Sequence, residues 1–163
     1  MPITEPDFSI RAVLPEDTEW IRRLMRDLQA AEFIVVHGDT FRPHELSGFV
    51  AVAGEGKAGL ITYRIAGECC EIISLSSLIP GRGIGTALIE AVKAEAVRAG
   101  CRALRLTTTN DNLHALRFYQ KRGFAFAAVR LNAIEATRKL KPVPLLGKNG
   151  IPIRDEIDME LQI

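Results

Sequence analysis

The chain has 163 residues, 47% of them hydrophobic and 25% charged, and its 21 basic and 20 acidic side chains leave a formal net charge of +1. That length suffices to bury a core without disulfides or metals, and the charge balance argues against a dedicated nucleic-acid binder. No apolar run approaches the ~20 residues of a membrane span, "MPITEPDFSIRAV" has no basic segment ahead of an apolar one, and Cys69, Cys70 and Cys101 fit neither a disulfide framework nor a zinc site. The expectation is one cytoplasmic domain over 1–163, without metal, membrane or nucleic acid, as monomer or homodimer.

"FSIRAV" predicts a first strand. In "PEDTEWIRRLMRDLQAAEF" Trp20, Ile21, Leu24, Met25 and Leu28 recur at helical spacing, which predicts an amphipathic helix opened by Pro15 and Asp17. "HGDTFRPHEL" is polar and broken by Gly38 and Pro43, and reads as loop with at most one short helix. "GFVAVAG", "AGLITYRIAG" and "CCEIISLSSL" follow as strands, and the short glycine-bearing gaps between them imply antiparallel hairpins. After Pro80, "GIGTALIEAVKAEAVRAG" places Ile84, Leu88, Val92 and Ala96 on one helical stripe, with Gly100 beyond its end. "CRALRLTTT" is a strand, "NLHALRFYQKRG" a short helix and "FAFAAVRL" another strand. Strand, glycine loop, helix and strand form a β-α-β unit whose crossover makes the flanking strands parallel. Asn132 to Lys141 reads as a further helix and "KPVPLLGKNG" as loop. In "EIDMELQI", Ile157, Met159, Leu161 and Ile163 alternate with polar residues, as in a half-buried strand. The sum is an α+β domain with a mixed sheet of about seven strands flanked by helices.

"PGRGIGTALIEAV" sets Gly81, Gly83 and Gly85 at the start of a helix. Glycine is costly to order, so this run calls for unusual backbone angles or close approach. A Walker A loop is absent, since no Gly-Lys-Ser/Thr follows. The dinucleotide fingerprint fails too, because Thr86 or Leu88 stands where its third glycine would be, and the antiparallel meander upstream is wrong for that fold. An NAD-linked oxidoreductase is thereby set aside. What is left is a set of free N–H groups at a helix N-terminus, suited to an anion.

From the fourth strand to Phe124 the chain resembles the GCN5-related N-acetyltransferase (GNAT) superfamily. Gly83-Ile84-Gly85 occupies the G-x-G of the family's acetyl-CoA loop, Q/R-x-x-G-x-G/A. Asn112, Ala115, Tyr119, Gly123 and Phe124 match the downstream pattern N-x-x-A-x-x-x-Y-x-x-x-G-F. Pro80 departs from the family's Gln/Arg position, and Arg82 stands two residues later as its substitute. The resemblance implies acetyl transfer from acetyl-CoA to a primary amine by direct attack in a ternary complex. It implies a pyrophosphate surrounded by the N–H groups from Arg82 to Thr86, Ile84 included. Tyr119 would be the general acid for the departing thiolate, Asn112 a contact to the pantetheine arm or a helix cap, and Leu75 the strand residue whose N–H polarises the thioester carbonyl. Pro80 keeps open a second reading, a CoA-binding regulatory module without turnover.

The general base is open. Glu71 shares a face with Ile73 and Leu75 by the two-residue period, which would bring its carboxylate toward the acceptor; an exposed strand-edge glutamate is the other reading. His37, His44 and His114 each read as solvent-facing rather than catalytic. "VVHGDTFRPHEL" and the span from Arg130 to Gly150 are too polar and irregular for core. In the family's layout both border the cleft opposite CoA, so His37, Arg42, His44 and the residues from Arg138 to Lys148 are expected to line the acceptor pocket. Their mixed charges suggest a polar acceptor, with a carboxylate-bearing one among the options.

Overall fold

A computed structural model describes residues 7–163. Strand and helix periodicities sort into β1 (Ser9–Ala12), α1 (Thr18–Gln29), β2 (Ile34–Val36), β3 (Asp39–Phe41), β4 (Ser47–Ala53), β5 (Gly56–Ala66) and β6 (Cys69–Ser77). Then come α2 (Ile84–Arg98), β7 (Ala103–Thr109), α3 (Leu113–Lys121), β8 (Ala125–Arg130), α4 (Ile134–Arg138) and β9 (Glu156–Gln162). Seven strands form one sheet in the order β1-β4-β5-β6-β7-β9-β8. The β6–β7 pair that flanks α2 is parallel, as the crossover requires, and the other pairings are antiparallel.

Alternation along the central strands divides the core between the two faces. Ala51 and Ile61 pack with Ile84, Leu88, Val92 and Ala96 of α2 and with Tyr119 of α3. Their chain neighbours Val50 and Leu60 pack with Ile21, Leu24 and Met25 of α1. Leu88 and Val92 are fully buried, and each such side chain contributes about 1.5–3 kcal/mol of burial. The start of α1 is tied to the sheet by charge. Asp17, 1% exposed, accepts from Arg11 Nη1 at 2.8 Å, lies 2.8 Å from Lys57 Nζ, and accepts from the Leu14 N–H at 2.7 Å.

Four features depart from the sequence expectation. First, the stretch read as loop holds a β2–β3 hairpin with Val36 opposite Asp39. Its turn residues His37 and Gly38 both take positive φ, 52° and 80°, the conformation of a tight type I′ connection. The strands are only three residues long and the turn opens with a histidine, so neither period nor turn chemistry marked them. Second, the helix expected over 132–141 is confined to α4, Ile134–Arg138. Third, the first half of β9 is buried throughout rather than alternately. It runs between β7 and β8, and Glu156, Ile157, Asp158 and Met159 are all buried. Fourth, Thr62 pairs with Ser74 but Tyr63 pairs with Ile72, which leaves Ile73 as an extra residue in β6. The bulge breaks alternation: Cys70, Ile72 and Leu75 all join the cluster on the α2 face, whereas the Ser74 hydroxyl bonds that of Thr62 at 2.6 Å.

One more irregularity creates the site. The β6–β7 ladder ends at the Ile72–Leu106 pair, although β6 continues to Ser77 and β7 to Thr109. The strands part there, and the backbone edge of β6 beyond Ile72 faces open space instead of a neighbouring strand.

Candidate active site

Two clefts open around the parted strands. The larger, about 700 Å³, runs along the α2 N-terminus and α3. Gly83 is the N-cap of α2 and has φ 76°, a left-handed angle that a side chain would strain; Gly81 takes the same angle. The first intrahelical bond runs from the Ala87 N–H to the Gly83 carbonyl at 3.0 Å. The N–H groups of Ile84, Gly85 and Thr86 therefore lack intrahelical partners, and all three residues line the cleft. Free N–H groups at the positive end of a helix of 15 residues are an arrangement suited to an anion.

Gly85 has a packing role beside the one its spacing suggests. A Cβ there would come within 3.0 Å of Phe118 Cζ, so its missing side chain admits the Phe118 ring. Gly85→Val is therefore expected to cost about 1–3 kcal/mol through overpacking, besides weakening CoA binding. A thermal melt with a calorimetric CoA titration measures both effects. Arg82 lies apart from the cleft. Its guanidinium pairs at the surface with Asp7 and is absent from the cleft lining, so it does not replace the family's Gln/Arg. The cationic groups lining this cleft are Arg122 and Lys148, with His114 and Phe118 beside them. Arg122 Nε donates to Thr86 Oγ1 at 2.9 Å, and the guanidinium stacks 3.5 Å from the Phe118 ring centre. The motif lies right beside these residues, but spacing carried no signal for them. His114, read as solvent-facing, is exposed and also borders the cleft.

The smaller cleft, about 310 Å³, lies between the parted ends of β6 and β7, with Ile34, Val35 and Val36 of β2, Met25 of α1, Ile134, Thr137, Lys141, Val143 and Glu156 closing it. The two clefts share Gln29, Leu75, Ser76, Asn112, Ala115 and Tyr119. Leu75 and Tyr119, expected from the sequence to act on the thioester, and Asn112, expected at the pantetheine arm or as a helix cap, are thus brought to one junction. Asn112 caps α3, its Oδ1 accepting from the Ala115 N–H at 3.1 Å, and lines both clefts as well. Tyr119, 8% exposed, is gripped edge-on by Phe118 and Phe124, with ring centres 5.2 and 5.4 Å away. Burial pushes its phenol well above the ordinary value of 10.0.

Most of the predicted acceptor residues fall elsewhere. Glu71 lies in neither cleft lining; its carboxylate is held by Arg64 at 2.9 Å, and the bulge at Ile73 removes it from the face of Leu75. His37 sits in the hairpin turn and bonds Asp158 Oδ1 at 2.7 Å through Nε2. Arg42 stacks over Phe33 at 5.9 Å, and the His44 side chain is 8% exposed beside Glu45. None of the three histidine or arginine positions 37, 42 and 44 lines the cleft; the apolar residues just before them do. Polarity selected the wrong half of that segment.

The span from Arg138 to Lys148 does border the site, since Lys141 and Val143 line the smaller cleft and Lys148 the larger. Lys141 Nζ donates to the carbonyls of Gln29 and Phe33 at 3.2 and 3.1 Å, which ties this segment to the end of α1, and burial lowers its pKa. Lys141→Met is expected to raise acceptor KM several-fold and leave acetyl-CoA affinity unchanged, as initial rates and calorimetry would show.

Two acidic residues at the start of β9 were missed. Asp158 is buried; burial acts to raise its pKa, but hydrogen bonds from His37 and Thr107, with Arg130, hold it below the usual carboxylate range. Glu156, 3% exposed, accepts the His37 N–H on Oε2 at 3.2 Å, while its buried Oε1 has no hydrogen-bond partner among the described residues. Among the described residues no group of three or more His, Cys, Asp and Glu side chains could hold a metal ion.

The model of the acetyltransferase (GNAT) family matches residues 9–124. The chain is 52% identical over 126 residues to the uncharacterized protein YdhI of Bacillus subtilis (strain 168), covering 76% of this chain and 79% of that protein. It is 44% identical over the same length to the uncharacterized protein YxbD of that organism, with the same coverage. Among solved structures, an IAA acetyltransferase from Bacillus cereus ATCC 14579 is similar with a TM-score of 0.73 at 19% identity, covering 96% of this chain and 99% of that one. A GNAT family acetyltransferase from Elizabethkingia anophelis with acetyl-CoA bound gives 0.70 at 19% identity, covering 98% and 100%. These structural likenesses are of fold, and the match of the family model runs from β1 through α3 to Phe124. The chain belongs to the GNAT acetyltransferase family.

Proposed function

We propose that the protein transfers acetyl from acetyl-CoA to a primary amine, by direct attack of the amine within a ternary complex in a single domain. The observation that carries this reading is the shared wall of the two clefts: Leu75, Asn112 and Tyr119 stand where a thioester in the larger cleft would meet an acceptor in the smaller one. The larger cleft fits CoA on its own features. Free N–H groups at the α2 N-terminus suit the pyrophosphate, Arg122 and Lys148 add positive charge, and the trough reaches Tyr119.

Acetyl-CoA supplies the acetyl group already activated as a thioester. The exposed β6 edge at Leu75 is positioned to donate a backbone N–H to the thioester oxygen as it gains charge. The neutral amine nitrogen bonds to the carbonyl carbon, the carbon–sulfur bond breaks, Tyr119 gives its phenolic proton to the departing sulfur, and the proton shed by the nitrogen restores the phenol. Its raised pKa keeps that proton in place at neutral pH. The three cysteines do not serve as an acetyl-carrying nucleophile: Cys70 and Cys101 are buried, the Cys70 thiol is pushed up to about 12, and burial raises that of Cys69.

Thiol release from acetyl-CoA across a panel of primary amines tests this reading. The expected result is amine-dependent release that saturates in both substrates, with rate patterns that intersect. Saturable acetyl-CoA binding with no release on any amine would instead mark a binding module.

A further inference from the structure

We propose that the smaller cleft selects a cationic amine on a slender apolar stem, and that Glu156 with Thr137 is the pair that selects it. The proposal rests on the acetyltransferase reading and names the class of acceptor. Two residues of the cleft lining, Glu156 and Thr137, each carry a buried side-chain oxygen, Oε1 and Oγ1, that has no hydrogen-bond partner among the described residues. Their residues are 3% and 6% exposed, and they come from different elements, β9 and α4. An orphaned buried polar group typically costs about 1–3 kcal/mol, more when charged. Two in one lining mark a place where a ligand's donors complete the structure.

The chemistry of the pair sets the class. A carboxylate oxygen only accepts, and a hydroxyl can accept, so both are served by a group with several N–H donors. The second oxygen of Glu156 meets a backbone N–H rather than a cation, so its charge is not neutralised there. Lys141, a cation in the same lining, is directed to the carbonyls of Gln29 and Phe33. A buried carboxylate without a paired cation favours a positive ligand over a neutral one. Met25, Ile34, Val36, Ile73 and Val143 belong to the apolar part of a lining that otherwise carries serine, threonine and amide side chains, and that part suits an alkyl stem within a volume of about 310 Å³. An acceptor with a carboxylate next to its amine would place like charge beside Glu156 and be rejected.

The test separates binding from turnover. Butylamine and 1-butanol, equal in stem, are titrated by calorimetry into CoA-loaded protein, which cannot react. The wild type is expected to bind butylammonium at least tenfold tighter than butanol, and Glu156→Gln to bring the two within about twofold with CoA affinity unchanged. Thr137→Val should weaken butylammonium several-fold. Should Glu156→Gln fail to fold, Glu156→Asp withdraws the charge by one methylene and should cut the preference at least threefold. A preference that survives in the folded Glu156 variant, or a wild type that binds both ligands alike, overturns the proposal. Loss of thiol release on every amine with the ammonium preference intact would refute the enzyme reading and leave this one standing.

Discussion

Tyr119→Phe is expected to lower kcat by roughly 10²-fold, the lower range for loss of a general acid, while acetyl-CoA affinity stays within a few fold. The substitution removes one oxygen and keeps the ring that Phe118 and Phe124 hold edge-on. Binding along the cleft depends on the α2 N-terminus and its neighbours, so affinity is spared. The pH profile adds a second reading. Burial raises the Tyr119 phenol above its ordinary 10.0, and an acid works only while protonated. No activity should therefore be lost through Tyr119 as pH rises through neutrality, and its limb should appear only above that ordinary value. An unchanged kcat, with chemistry shown to limit the rate, would leave Tyr119 a packing residue.

Asp17→Ala is expected to destabilise the fold by about 3 kcal/mol, the low end for breaking a buried ion pair from one side. The low end applies because Arg11 and Lys57, with side chains 35% and 29% exposed, can turn to water once released. For a chain of this size such a loss corresponds to a fall in Tm of roughly 6–12 °C. The hydrogen bond from Arg11, above all, holds the Asp17 carboxyl far below its ordinary value, with Lys57 and the Leu14 N–H adding to it against the cost of burial. A carboxyl depressed in the folded state stabilises above its unfolded pKa of ~3.9, and that contribution fades as pH falls below it. The gap between wild type and Asp17→Ala should be full at neutral pH and shrink steadily in acid. Chemical denaturation at pH 7 that shows a difference below 0.5 kcal/mol (the ordinary scatter of a surface substitution) would contradict the account.

Much of this architecture is written in local patterns. The α2 stripe of Ile84, Leu88, Val92 and Ala96, the glycines before it, and the Asn112–Tyr119 spacing are contained within a few helical turns, so they could be read from the chain directly. What escaped depends on how distant strands meet. Glu156 and Asp158 look solvent-facing in an alternating strand, but β9 lies inside the sheet and the β2–β3 turn brings His37 onto both carboxylates, which are buried. The bulge at Ile73 leaves no trace in hydrophobic periodicity, so the two-residue rule carried Glu71 to the wrong face. Ile34, Val36 and Val143 line the smaller cleft, yet apolar residues in a sequence suggest core. His37, Arg42 and His44 drew notice for polarity, yet His37 is taken up by Asp158 and Arg42 by the Phe33 ring, while His44 is buried beside Glu45 away from the cleft.

The central claim is that chemistry takes place where the two clefts meet. A crystal structure of the protein with CoA tests it most directly. The account predicts the pyrophosphate against the N–H groups of Ile84, Gly85 and Thr86, and the sulfur within hydrogen-bond reach, about 3–3.5 Å, of the Tyr119 hydroxyl, with the cleft beside Glu156 left open. A CoA lying in the cleft of Glu156, or a sulfur held away from the Tyr119 junction, would contradict it.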